Sequence, residues 1–260
     1  GGRSTLIGLG KVGRPVITAA LFVFFAVGII MPIVILVMES FMLKEGIYSL
    51  DNFTLHYWIG ESNPQIMEGL PGIFKNDEFI NSLFNSLRLT LVNGVFGTIF
   101  GQLLGYITAK GRGRLHGKLV EQLVFIPYLI PSVAFGGIYL SMFSQPQQIF
   151  GVTLVPALYG TFALLTLVSV VKHLPFAARA GTSNMLQISG ELEEAATIEG
   201  AGFFRRFVKI VFPLSKGGFI SGFMLIFVSI MKELDLIILI MTPTTSTLPY
   251  LAFRYQDRKS

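Results

Sequence analysis

Residues 16–38 run without a single charged side chain. At 1.5 Å of rise per residue, a helix of that length crosses a hydrocarbon core about 30 Å thick. In lipid the backbone polar groups must be satisfied within the segment, so such a run folds as a helix. Four more apolar stretches follow, at about 81–109, 119–143, 156–174 and 217–241. The whole chain is 52% hydrophobic and 13% charged, with a mean hydropathy of +0.66, whereas soluble domains average about 25% charged residues. The expected fold is an all-α, polytopic membrane helix bundle with five spans. There is no cysteine, which excludes disulfides and cysteine-type zinc sites.

Residues 1–80 read as one region: a basic lead (Arg3, Lys11, Arg14), the first span at about 16–38 with Pro32 near its far end, and a loop over 39–80. That loop holds seven acids, two lysines and the lone tryptophan, Trp58, a candidate interfacial anchor. Residues 81–260 read as the main body. Gly94, Gly97, Gly101 and Gly105 recur at steps of three and four, making one small-residue face for close helix contact. Pro127 and Pro131 lie one turn apart inside the third stretch, so that helix should kink or break.

Charge placement gives a topology. Segments 1–15, 110–118 and 172–216 carry three, four and six Lys or Arg, whereas 39–80 and 144–155 carry two and none. The positive-inside rule then puts the N-terminus in the cytoplasm, and the net charge of +5 belongs to membrane-facing loops rather than to nucleic-acid binding. The chain opens Gly-Gly without Met and shows no cleavable signal pattern, as expected of a segment of a longer polypeptide. The polar stretch 242–260 would lie outside after five spans, which calls for a sixth span beyond it.

Residues 191–213 form the only long charged segment between two very apolar stretches. Its first half is acidic (Glu191, Glu193, Glu194, Glu199) and its second half basic (Arg205, Arg206, Lys209). It reads as two short helices broken at Gly200 to Gly202. One reading is a generic amphipathic cytoplasmic loop. The spacing Glu194-Ala195-Ala196, Gly200, Ile210, Pro213 resembles the EAA motif of the permease subunits of type I ABC importers, departing by Phe212 where that family usually has Leu. The resemblance covers at least residues 79–255. Ile126-Pro-Tyr-Leu-Ile-Pro-Ser132 and Met231-Lys-Glu-Leu234 look like the iron(III)-type branch, in which two such halves are often fused.

The resemblance implies a type I permease core forming a translocation path. Residues 191–202 would be a coupling helix seated in a groove of a cytoplasmic ATPase, with Glu194 meeting donors there. Ala195 and Ala196 would allow close approach, and Gly200 would turn the chain. Arg205 would touch the ATPase or anionic headgroups; Ile210 and Pro213 complete the motif. The implied complex has two ATPase subunits, a second permease half and an extracytoplasmic substrate-binding protein in a bacterial inner membrane. ATP and Mg would be bound by the ATPase, with no cofactor in this chain. Ferric iron is the expected substrate; polyamine, thiamine, phosphonate and oxyanion importers share the core.

Other residues carry two readings each. Lys232, Glu233 and Asp235 sit in an apolar stretch, where ionisable groups cost about 2.5–3.5 kcal/mol apiece at a helix centre. They line the path, or form an internal ion pair, with Lys232 and Asp235 near one helical face. Asn85 and Ser86, with Asn81, Ser82 and Arg88, line the path or cap a helix. The three histidines, His56, His116 and His173, show no metal-ligand spacing. Gly113 to Lys118 has one residue too few between its glycines for a phosphate loop, and Leu119 follows where Ser or Thr is needed, so the energy for transport would come from a partner. No nucleophile or paired-acid pattern points to catalysis. A secondary transporter or channel is the alternative of another class.

Overall fold

The structure, a computed structural model, describes residues 10–188 and 191–259; residues 1–9 of the basic lead, with Arg3, lie outside them. The chain divides into two compact units, Gly1–Ile80 and Asn81–Ser260.

In the first unit, helix α1 (Gly10–Glu39) is the most apolar of the chain, with a mean hydropathy of 3.0 over its best window and none of that window buried. It absorbs Pro32 behind a wider π-type turn at Ala26–Ile30, an arrangement that accommodates the missing N–H. The loop beyond it is folded. Trp58, on the one-turn helix α2 (His56–Ile59), stacks on Phe41 at 5.5 Å and 17°. Asn52 is buried and ties the loop to itself, donating to the carbonyls of Lys44 at 2.8 Å and Ile47 at 2.6 Å.

Helix α3 (Asp77–Lys110) starts earlier than the apolar pattern indicates. Asn76 accepts from the amides of Glu78 at 3.0 Å and Phe79 at 3.1 Å, capping it one turn upstream. Helices α4 (Leu115–Leu129) and α5 (Ser132–Phe143) are bent by 99° at the Pro131 break. A short hairpin follows, β1 (Gln147–Ile149) antiparallel to β2 (Val152–Val155). Helix α6 (Phe162–Met185) replaces the span expected at 156–174. It begins where the Thr161 hydroxyl accepts from the Leu164 amide and continues through Pro175; Lys172 and His173 bond the carbonyls of Pro127, Ile130 and Ser169 and do not end it. Beyond α7 (Glu191–Ile198), helix α8 runs Phe203–Met231. The basic half of the charged segment is thus the first part of a span and not a separate short helix, and the start expected at 217 moves upstream. A π-type turn at Phe207–Val211 admits Pro213. The helix ends ten residues short of the expected 241, in a turn-rich stretch that leads to α9 (Leu248–Lys259). Among the described residues, four helices are long and apolar enough to cross a membrane, five if the bent pair is one span. The molecule is a multi-pass membrane helix bundle.

In the second unit, α6 lies at the centre. Leu164, Leu165 and Val168 are almost wholly buried, packed with Ile226 and Ile230 of α8 and with Leu236, Ile237 and Ile240 beyond it. The glycine face of α3 meets both neighbours. A Cβ on Gly101 would fall 2.4 Å from that of Ala177, and one on Gly105 would fall 2.4 Å from the Gly181 backbone; Gly94 and Gly97 face Phe223 and Ile226 of α8. The contacts with α6 bring backbone against backbone, and those with α8 seat a side chain against the glycine, the close approach that small residues permit in lipid.

Replacing Gly101 or Gly181 with Val forces helices apart and should destabilise the protein by about 1–3 kcal/mol. Gly217 has open space around it, so Gly217→Ala should be neutral or stabilising by up to about 1 kcal/mol. Thermal unfolding of the purified variants in detergent orders the three; equal effects would contradict the packing described.

Candidate functional site

Two constellations bring together the residues singled out in the sequence. The first is the charged segment. Helix α7 closes at Gly200, whose φ is +79°. The Gly200 amide donates to the Thr197 carbonyl at 3.0 Å and the Ala201 amide to that of Ala196 at 2.9 Å. This is a Schellman end, which satisfies the last carbonyls and reverses the chain. A side chain at 200 would meet nothing within 4 Å, so glycine is needed there for its backbone alone.

The two faces of α7 differ. Glu194 and Ala195 are exposed, as are Glu199 and, at 88%, Ile198. Ala196 is half-buried. Glu193 points the other way and is only 7% exposed. Its carboxylate accepts from the Tyr106 hydroxyl at 2.7 Å and pairs with the Lys110 ammonium at 2.9 Å. Both partners come from the last turn of α3. The Tyr106 ring in turn meets Phe203 and Phe207 of α8 edge-on, at 5.6 and 5.9 Å. Arg206 donates to the Thr197 hydroxyl. Arg205 is exposed; Ile210 is half-buried and Pro213 exposed on the continuous α8. Sequence reasoning missed Glu193 and Tyr106. Glu193 stands among four acids with nothing in its spacing to distinguish it, and Tyr106 lies 87 residues away.

The second constellation surrounds the break between α4 and α5. Pro131 has no N–H, so the Pro127 carbonyl loses the donor it would have four residues on. The ammonium of Lys172, on α6, takes its place, donating to Pro127 O at 2.9 Å and to Ile130 O. Lys172 is 9% exposed and also sits 5.2 Å from the centre of the Phe135 ring. Next to it, His173 Nδ1 donates to the Ser169 carbonyl at 2.8 Å, and Nε2 faces the Glu233 carboxylate at 3.4 Å. That contact is attractive when a proton lies on either group. A cavity of about 570 Å³ opens here, lined by Tyr128, Pro131, Ser132, Lys172, His173 and Glu233.

The Lys232–Asp235 pair, one of the two readings of these residues, does not form: both side chains are exposed, and among the described residues no ion pair joins them. The reason is that α8 ends at Met231, so the helical face that would align them is absent. The Glu233 carboxylate accepts from the Leu236 amide at 3.2 Å, giving the chain a turn in place of another helical one. Asn85 and Ser86 do not cap α3, which starts eight residues before Asn85. Asn85 donates to the carbonyls of Thr244 at 3.1 Å and Ser246 at 2.9 Å, and the Ser86 hydroxyl accepts from the Leu248 amide at 2.8 Å. They fasten the stretch before α9 to α3.

Residues 101–259 match the family described as binding-protein-dependent transport system inner membrane component. The sulfate transport system permease protein CysT of Synechocystis sp. is 27% identical over 165 residues, covering 61% of this chain and 54% of that protein. The trehalose transport system permease protein SugB of Mycobacterium tuberculosis is 26% identical over 178 residues, covering 68% and 60%. The chain therefore spans a little over half the length of these curated relatives. A chain of the bacterial alginate ABC transporter, crystallised with an alginate pentasaccharide-bound periplasmic protein, shares the fold with a TM-score of 0.68 at 17% identity, over 96% of this chain and 86% of that one.

Lys172→Met leaves two carbonyls at the break without a donor, and should destabilise the protein by about 1.5–3 kcal/mol, read as a lowered thermal midpoint in detergent; Lys232→Met, at an exposed position, should change it by less than about 0.5 kcal/mol. Gly200→Ala forces a left-handed residue at a cost of about 1–2 kcal/mol, and Gly200→Asn, which tolerates that conformation, should cost less. Protease sensitivity of the α7–α8 connection measures the difference.

Proposed function

The chain belongs to the family of binding-protein-dependent transport system inner membrane components, and on that premise we propose that it is the membrane-spanning permease subunit of an ATP-driven ABC importer. The observation that carries this reading is α7: a helix fixed by Glu193 on one face, closed by a left-handed glycine, and offering Glu194, Ala195 and Ile198 outward. A short helix of that kind suits a groove on a cytoplasmic ATPase. Glu194 meets donors there, Ala195 and Ala196 let the surfaces approach, and Arg205 lies at the edge of the contact. ATP and Mg belong to the ATPase, and the chain catalyses no reaction of its own.

The assembly in this reading has two ATPase subunits, a second permease half and an extracytoplasmic binding protein, with the N-terminus of this chain in the cytoplasm of a bacterial cell. ATP binding closes the ATPase pair, and α7 passes that motion to the spans, which alternate their access. The cavity at the α4–α5 break, lined by Pro131 and Glu233 and reached by the Lys172 that bonds Pro127 O, lies on the route. Ferric iron as the cargo rests on the resemblance of residues 126–132 and 231–234 to the iron(III)-type branch. The relatives named above transport sulfate and trehalose by their names, which supports keeping an oxyanion and a sugar in the same test.

Reconstitution with candidate ATPase and binding-protein subunits supplies that test. ATP hydrolysis stimulated by the loaded binding protein, with uptake of one of Fe(III), sulfate or trehalose, is the expected result. Glu194→Ala should lower uptake by about tenfold, the equivalent of one lost contact of ~1.4 kcal/mol, without loss of membrane insertion. Flux through the chain alone under an ion gradient would identify a secondary transporter or channel and overturn the proposal.

A further inference from the structure

We infer that Glu193, with Tyr106 and Lys110, is the positioning element through which α7 acts on the rest of the bundle; the inference rests on the importer reading above and specifies its mechanical link. The Glu193 carboxylate is buried, and both its partners stand on the last turn of α3. Charge-assisted hydrogen bonds of this kind are about twice as strong as neutral ones. Glu193 and Thr197 lie four residues apart on one face of α7, and the Thr197 hydroxyl donates to the Glu193 carbonyl at 2.7 Å while accepting from Arg206 of α8. One face of α7 is therefore tied at one end to α3 and at the other to α8. The opposite face carries Glu194, Ala195 and Ile198.

Helix α3 is suited to receive a displacement. Its glycine face is in backbone contact with α6 at Gly101 and Gly105, and it meets α8 at Gly94 and Gly97. Close-packed interiors have low compressibility and transmit strain. A displacement of α7 thus reaches α6, and with it the Lys172 bonds at the α4–α5 break, through Glu193 and α3. Without the tie, α7 is still joined to α8 by the chain and by Arg206, but its acidic end is loose.

Two measurements separate this link from the importer reading. The first needs no partner: hydrogen exchange of α7 amides in the full chain in liposomes. Glu193→Gln and Lys110→Met should each raise exchange in α7 by about tenfold or more, the equivalent of a lost charge-assisted bond, while exchange in α6 stays unchanged. The swapped pair, Glu193→Lys with Lys110→Glu, should restore protection. The second uses the reconstituted complex: cargo moved per ATP hydrolysed should fall in the single variants and recover in the swap. Unchanged α7 exchange in the single variants overturns the tie even if the complex transports normally. Loose α7 with unchanged cargo per ATP, or single variants that the swap does not rescue, overturns its role in coupling. A wild-type complex that shows no ATP-driven uptake overturns the importer reading, and the exchange data still decide the tie.

Discussion

A membrane helix has no hydrophobic gain from leaving lipid for a neighbour, so what holds this bundle together is how closely its backbones approach. The contact of α3 with α6 at Gly101, Gly105 and Gly181 is therefore the constraint on which the second unit depends. It brings the two helices near enough that each side chain on their facing surfaces is either absent or fixed. Thr90, Asn93 and Gln102 are buried along α3; Thr90 and Asn93 turn back on their own helix, bonding to Ser86 O at 2.7 Å and Leu89 O at 2.7 Å. From this rod the polar residues at each end reach other elements: Asn85 and Ser86 reach the stretch before α9, and Tyr106 and Lys110 reach α7.

The break between α4 and α5 obeys the same accounting of backbone groups. Pro131 and the end of α4 leave the Pro127 and Ile130 carbonyls without helical donors, and a buried polar group left unsatisfied costs about 1–3 kcal/mol. Lys172 answers that cost from α6, so a charge that would be unfavourable in a span becomes the bond that makes the bend possible. The neighbouring His173–Glu233 contact joins the same point to the turn after α8. The bend, the central helix and the end of α8 are thus held by adjacent residues of one helix.

Much of this was legible in the sequence, and the losses have physical reasons. The apolar runs, the glycine steps and the paired prolines have periodicities set by helix geometry, and each led to the right element or contact. The glycine hinge at 200 was readable because only its backbone matters. The ends of helices were not: Lys172, His173 and Pro175 look like a boundary until their buried partners are known, and Lys232 to Asp235 look like helix until Glu233 binds the Leu236 amide. Glu193 and Glu194 are adjacent and chemically identical, and only the fold turns one inward. Long-range partners such as Tyr106 leave no local trace.

On α7 the residues that hold the helix and those that it presents do not overlap. Glu193 is buried against α3 and Thr197 bonds Arg206 of α8; Glu194, Ala195 and Ile198 are exposed and free of those ties. Substitutions on the outer face can therefore accumulate without loosening the helix, and substitutions at the tie alter its stiffness without changing what it displays. Two properties that would otherwise have to change together, fit to another surface and firmness of attachment, are open to independent variation within eight residues.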